Sequence, residues 1–228
     1  MSRPSTTRPN NLATLQRRQA LAALAATPLA GIAQAQPAGE RRPSAPQSLG
    51  PFYPRSPAER PRETDADLLV VQGERVLSRG VPIYLTGRVL NRRGQPVANA
   101  EVEIWQCDAN AVYHHPAGGA EGERDPNFQG YGRTTTDRDG VFHFRTIRPV
   151  PYPGRTPHIH ARVQAAGAST LATQLYLPDE PGNARDFLYR QLSEADRAGL
   201  TLNLRATEST HPLARTTRLS AAVELVLA

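Results

Sequence analysis

Beyond about residue 80, hydrophobic and polar residues alternate with a period of two in short runs separated by Gly, Asn and Asp turn signals. Ile83–Leu90 reads as one strand, closed by the turn Asn91-Arg92-Arg93-Gly94. Ala100–Trp105 reads as another, with Val102 and Ile104 on one face and Glu101, Glu103 and Trp105 on the other. Gly130–Thr136 and Val141–Ile147 predict a hairpin around Asp137-Arg138-Asp139-Gly140. His158–Gln164, Ala172–Leu177 and Arg218–Leu227 complete the strands. Ser193–Ala198 predicts one short helix with Ser193 as its N-cap. A long loop runs from Gln106 to Gln129. There is no internal repeat and no amphipathic helix of useful length. The pattern predicts an all-β fold over residues 67–228: an antiparallel β-sandwich with long loops and little helix.

The residues ahead of that domain differ in kind. Residues 36–66 are rich in Pro, Arg and Ser, show no period and read as an extended arm. Its one aromatic, turn-forming cluster is Gly50-Pro51-Phe52-Tyr53-Pro54. Residues 17–35 place the basic pair Arg17-Arg18 before an apolar stretch that ends in Ala33-Gln34-Ala35, the layout of an export signal cleaved after Ala35. The Arg pair suggests the twin-arginine route, although Ala20 stands where a bulkier residue is common; an ordinary Sec signal is the alternative. The run is too short and too Ala-rich for a stable membrane anchor. The expected location is the periplasm or the medium.

Charge changes the picture only once the signal is set aside. The formal net charge is +6, but residues 1–35 carry Arg3, Arg8, Arg17 and Arg18 and no acid. Without them 23 basic residues face 21 acidic ones, a net of +2. No basic stripe interleaved with aromatics remains, which argues against a nucleic-acid partner. The single cysteine, Cys107, excludes an intramolecular disulfide framework and a multi-Cys zinc site, and reads as a packed residue at a strand end.

Candidate chemistry centres on Pro157-His158-Ile159-His160. On a strand, His158 and His160 share one face while Ile159, Ala161 and Val163 share the other. The apolar face can pack inward and leave both imidazoles towards the loops. By itself a His-x-His pair does not decide between a metal site and two exposed histidines. Tyr152, six residues before His158, and Tyr113, in the long loop, are available oxygen donors, but a Pro-flanked Tyr is by itself a turn residue. His114 and His115 read as loop surface or pocket rim. His143 alternates away from Phe142 and Phe144, and His211 has no sequence neighbour to pair with.

Five stretches, in order, resemble the intradiol ring-cleavage dioxygenases: GPFYP at 50–54, GRVLNRRGQPVANAEVEIWQCDANAVYHH at 87–115, DPNFQGYGRTTTDRDGVFHFRTIRP at 125–149, YPGRTPHIH at 152–160 and TQLYLPDE at 173–180. The resemblance implies one Fe(III) per chain, held by two Tyr and two His. The Tyr eight residues after the strand-end Trp corresponds to Tyr113, the Tyr of the YP turn to Tyr152, and the His pair to His158 and His160. The active-site Arg, three residues before the first His, corresponds to Arg155. Gln174 and Tyr176 match positions near the iron, with Gln174 a donor that orients a ligand, and Tyr53 is a candidate for the substrate mouth. Two departures stand out. The segment between Tyr152 and His158 is short, as in the exported branch of the family, which bears on substrate identity. The helical dimerisation segment of the catechol-cleaving members has no counterpart here.

The resemblance implies an oxidoreductase whose partners are a small aromatic 1,2-diol and O2, with a cis,cis-muconate-type diacid as product. A homo-oligomer is compatible with it. Hard phenolate donors suit ferric iron, and neutral imidazoles complete the set without adding charge. In this reading Tyr152 leaves the iron to take a substrate proton and Arg155 stabilises negative charge on the ring. The alternative is a non-catalytic exported module. GRVLNRRGQPVANAEVEIW and TTTDRDGVFHFRTI also resemble transthyretin-like and carboxypeptidase-regulatory-like sandwiches.

Export is checked by mass spectrometry. Protein recovered from the periplasm or medium is expected to begin near Gln36, and an intact Met1 terminus would contradict the signal assignment. Replacing Arg17 and Arg18 with Lys is expected to trap the precursor, whereas normal export would favour Sec.

Overall fold

Strand alternation gives every long strand one apolar row, and these rows meet in a common interior. In this computed structural model the described residues are 39–71, 78–119 and 123–228, so the expected signal in residues 1–35 lies outside them. The strands are Pro82–Leu90 (β1), Glu101–Trp105 (β2), Tyr131–Thr135 (β3), Val141–Ile147 (β4), His158–Gln164 (β5), Leu171–Tyr176 (β6), Arg205–Ala206 (β7) and Leu219–Val226 (β8). They form two four-stranded sheets, ordered β4-β1-β8-β7 and β3-β2-β5-β6. Leu85 and Val89 of β1, Phe142 and Phe144 of β4, and Val223 and Leu225 of β8 bury against Val102, Ile104, Ile159, Ala161 and Val163 of the other sheet. The all-β sandwich expected from the sequence is what the chain adopts.

Two pairings differ from expectation. The Asp137–Gly140 turn forms, with Gly140 N–H donating to the Asp137 carbonyl at 3.0 Å, but β3 and β4 are not a hairpin. β3 pairs with β2 and β4 with β1, so the turn carries the chain from one sheet to the other. Turn chemistry sets the local bend; it does not set which sheet receives the next strand. Here β1 offers β4 a seven-residue ladder from Pro82↔Ile147 to Arg88↔Val141, and both phenylalanines then point inward. The closing strand β8 runs parallel to β1, which makes that sheet mixed rather than purely antiparallel.

Among the described residues α-helix is confined to two short pieces, with single 3-10 turns at Pro57–Glu59 and Pro212–Ala214. Glu194–Gly199 (α2) starts at Ser193, whose hydroxyl accepts from Asp196 N–H as the sequence predicts. Phe187–Gln191 (α1) was not expected. Asp186 caps it, accepting from Leu188 and Tyr189 N–H. No helix is long and apolar enough to cross a membrane among the described residues.

Residues 39–66 contain no strand, yet they are fastened to both sheets. Ser44 N–H donates to the Val226 carbonyl at 3.0 Å and Gln47 N–H to the Ala172 carbonyl at 2.7 Å. The Tyr53 hydroxyl reaches Glu103 at 2.9 Å. The segment therefore covers the outer face of sheet β3-β2-β5-β6, and side chains that would otherwise be exposed there are buried.

Gly87 on β1 shows how tightly the interior is filled. A Cβ there would lie 2.2 Å from Cζ of Phe142 and 2.9 Å from the Val223 carbonyl oxygen. Gly87→Ala is expected to destabilise the fold by about 1–3 kcal/mol through overpacking. A thermal melt unchanged from wild type would contradict that packing.

Candidate metal centre

The outer face of β5 carries the His pair. His158 and His160 point away from Ile159, Ala161 and Val163, and both are buried beneath the loops. Strand register chooses their neighbours: His160 lies opposite Trp105 on β2 and Gln174 on β6, and His158 opposite Tyr176. Trp105 stacks on His160 with centroids 4.7 Å apart and planes within 7°.

Tyr152 and Arg155 are brought together by a local turn. Pro153 and Gly154 occupy its centre, Gly154 has φ 83°, and Arg155 N–H donates to the Tyr152 carbonyl at 2.9 Å. Pro followed by a positive-φ Gly is the signature of a type II turn. YPGR thus brings the two residues into one turn through local backbone geometry.

Tyr113 is presented by the long loop, which is organised around a buried carboxylate. Asp108 accepts from Asn110 and Val112 N–H at 2.9 and 3.0 Å and from Asp125 N–H at 2.7 Å, and its Oδ2 lies 3.2 Å from His114 Nε2. Burial would raise its pKa, but His114 and the backbone donors outweigh it and hold the carboxyl below its ordinary value. Nothing in the sequence around Asp108 distinguished it from any other loop acid. Its Asx turn to Asn110 N–H and its further bond to Val112 N–H show it capping a bend only once the loop is folded.

The four candidate ligands and Arg155 are mutual neighbours. Tyr113 Oη is 3.3 Å from His158 Nε2. Arg155 Nη1 is 3.4 Å from the same nitrogen and 3.5 Å from Tyr152 Oη. The Tyr113 and Tyr152 rings meet edge to face at 5.5 Å, and the two His rings at 4.9 Å. His158 Nδ1 is 2.6 Å from the Thr156 carbonyl, which can only accept, so the proton sits on Nδ1 and the Nε2 lone pair faces the phenols. His160 leaves Nδ1 without a partner among the described residues.

This donor set suits a hard cation. Burial, with Cys107 and Tyr152 nearby, pushes Tyr113 well above its ordinary pKa, and burial raises Tyr152 against the pull of Arg155. Burial beside Arg155 holds His158 down to about 4, and burial beside His158 holds His160 well below its usual value. Without a cation the centre is therefore two neutral phenols and two neutral imidazoles. A multivalent cation would draw the protons off the phenols, and the imidazoles are already in the ligating form. No group of three or more His, Cys, Asp and Glu converges among the described residues, so any metal here depends on the tyrosines.

The remaining candidates lie around this cluster. Gln174 Oε1 accepts from Arg155 Nη2 at 2.6 Å, and Gln174 Nε2 donates to the Ser48 carbonyl at 3.3 Å. The Tyr176 hydroxyl donates to Gln47 at 2.9 Å, one ring behind His158. Tyr53 is set back from the cluster: its ring packs on Trp105 at 4.9 Å and its hydroxyl is held by Glu103. Phe52 is the aromatic that stacks on Tyr113, at 4.2 Å. His115 is buried rather than at the surface, its Nε2 3.7 Å from Glu59, while His143 on β4 stacks at 4.1 Å on His211, which caps the 3-10 turn Pro212–Ala214. Cys107 is buried, its thiol pushed up to about 12.

A family model described as Dioxygenase matches residues 50–223. The chain is 40% identical over 144 residues to the protocatechuate 3,4-dioxygenase beta chain of Burkholderia cepacia, covering 59% of this chain and 61% of that protein. It is 29% identical over 165 residues to the catechol 1,2-dioxygenase of Candida albicans, covering 62% and 49%. Among solved structures it resembles the dioxygenase domain of a dioxygenase carbohydrate-binding protein fusion from Streptomyces sp. SirexAA-E. That match has a TM-score of 0.59 and 32% identity over 82% of this chain and 98% of that one. The chain spans about half to three fifths of the length of these two curated relatives.

The buried carboxylate Glu103 offers a test of how the covering segment is held. It accepts from Tyr53, from Tyr131 and from Arg162, the last at 2.5 Å. Glu103→Ala would leave Arg162 and two phenols without their partner. It is expected to destabilise the protein by roughly 3 kcal/mol. Urea unfolding measures this, and a loss under 1 kcal/mol would mean the network relaxes into water.

Proposed function

The chain belongs to the intradiol ring-cleavage dioxygenases, and on that premise we propose that it cleaves a catechol-type aromatic 1,2-diol with O2, between the two hydroxyl-bearing carbons, to a cis,cis-muconate-type diacid. The observation that carries this reading is the meeting of Tyr113, Tyr152, His158 and Arg155 within 3.5 Å contacts in a buried cluster. One Fe(III) per chain would be held by Tyr113, Tyr152, His158 and His160. A bound ferric ion would supply a Lewis acid that favours the doubly deprotonated diol, whose ring is electron-rich towards O2.

The protein's own groups divide the remaining work. Tyr113 is the more deeply buried phenol and serves as a fixed ligand. Tyr152 is half-buried, the more accessible of the two, and as a tyrosinate its Oη could receive a diol proton. Arg155 Nη1 faces that oxygen and supplies a preorganised positive charge where negative charge develops on the substrate. Gln174 fixes the other end of the guanidinium. Thr156 holds the His158 proton at Nδ1, so that Nε2 stays a donor of its lone pair. Phe52, stacked on Tyr113, excludes water from the phenol cluster. The export-signal pattern in residues 17–35 supports the proposal that this reaction takes place in the periplasm or the medium.

Iron-loaded protein is expected to be coloured, because electron-rich tyrosinate donates charge to electron-poor Fe(III) in the visible range. Tyr152→Phe keeps the ring's packing and removes both an oxygen ligand and a proton acceptor. It should shift the colour and lower O2 uptake with catechol or protocatechuate by about 10²–10⁴-fold. Tyr113→Phe should shift the colour mainly by losing iron. A colourless wild type with stoichiometric iron would remove the tyrosinate assignment. A coloured protein that consumes no O2 with any 1,2-diol would remove the reaction.

A further inference from the structure

We propose that Asp186 is a positioning residue for the diol-cleavage site: it holds the Arg155 guanidinium so that Nη1 is the nitrogen facing Tyr152 and His158. This rests on the reaction assigned above; Asp186 itself is not among the residues used to assign it.

The case begins with what Asp186 does beyond capping α1. Its side chain is 0% exposed, although it is charged. Oδ1 accepts from Leu188 and Tyr189 N–H at 3.0 and 2.9 Å, which is the whole of the helix cap. A Ser or Asn would cap the same turn about as well. Oδ2 is the atom that a cap does not need. It accepts from Arg155 Nε at 2.8 Å and from Thr156 N–H at 2.9 Å. A fully buried carboxylate with four N–H donors is costly to assemble and is stable only as a complete set.

The geometry of the guanidinium explains the use. Arg presents its donors in a rigid planar fork, so fixing two edges fixes the third. Asp186 takes Nε and Gln174 takes Nη2, which leaves Nη1 aimed at Tyr152 Oη and His158 Nε2. Phe187, next in sequence and 58% exposed, lies against the guanidinium with Cζ 5.5 Å from its ring centre. It shields the pair from water, and the Arg155 side chain is only 8% exposed. Asp186 also ties the backbone at Thr156, whose carbonyl holds the His158 proton. The same carboxylate supplies the opposite charge that a guanidinium buried to this degree needs, at 2.8 Å.

The test is a double-mutant cycle with Asp186→Ser, which keeps a capping oxygen and removes Oδ2, and Arg155→Gln. Asp186→Asn replaces the first variant should it fail to fold. In wild-type background Asp186→Ser is expected to lower kcat for catechol about 10–100-fold, the scale of a misplaced catalytic group, with iron content and the visible band retained. In Arg155→Gln background the same change should cost less than about threefold, because the group it acts through is gone. Equal losses in both backgrounds, or loss of iron in step with activity, would overturn the proposal. A wild type that takes up no O2 overturns the reaction instead. Positioning is then decided on iron-free protein by the exchange of Arg155 Nε–H in NMR. Slow exchange that becomes fast in Asp186→Ser supports it, and exchange already as fast as a surface Arg overturns it.

Discussion

The two-residue repeat of β5 is the constraint from which the site follows. Ile159, Ala161 and Val163 must face the interior, and burial of each aliphatic side chain is worth about 1.5–3 kcal/mol for the larger ones. A slip of one residue would turn that row out and send both histidines into the hydrophobic interior. The imidazoles are therefore held by the packing of residues that take no part in chemistry. The partners follow from the same register, which places Trp105 and Gln174 beside His160 and Tyr176 beside His158.

Carboxylates do the second part of the work, each at the centre of a filled set of donors. Asp108 shapes the loop that presents Tyr113, and Glu103 fastens the segment that carries Phe52 and Tyr53. Asp186 joins α1 to Arg155 and to the backbone before His158. Each carboxylate is buried, and each would be costly if any large part of its set were lost. The outer face of the β3-β2-β5-β6 sheet is polar in sequence and dry in structure because residues 39–66 lie over it. A dry polar face strengthens every electrostatic interaction within it, which is what a site that handles charge requires.

A sandwich of this strand pattern carries no chemistry by itself, and the same pattern would serve an exported spacer. What separates this chain from a spacer is the His pair on β5 together with three loops: the YPGR turn, the Asp108 loop and the GPFYP segment. All three converge on one end of one strand. The short connection from Tyr152 to His158 is compatible with that convergence, because the turn needs four residues and Thr156 is anchored to Asp186 immediately after it.

Local periodicity determined most of the strands, the capping of α2 by Ser193, the inward row of β5 and the outward His pair, because each depends only on neighbours a few residues apart. The ordered motifs pointed to Tyr113, Tyr152 and Arg155 through a family resemblance; spacing alone left Tyr152 as a turn residue and Tyr113 as a loop residue. Sheet membership was not legible: Asp137–Gly140 has the residues of a hairpin turn and makes a sheet crossing, since the choice was between two ladders distant in sequence. The parallel pairing of β8 with β1 and the caps at Asp186 and Asp108 escaped for the same reason. An Asp in a loop looks alike whether it meets water or four buried N–H groups. Only the tertiary structure decides which, because burial and the donors that satisfy it are supplied by segments far along the chain.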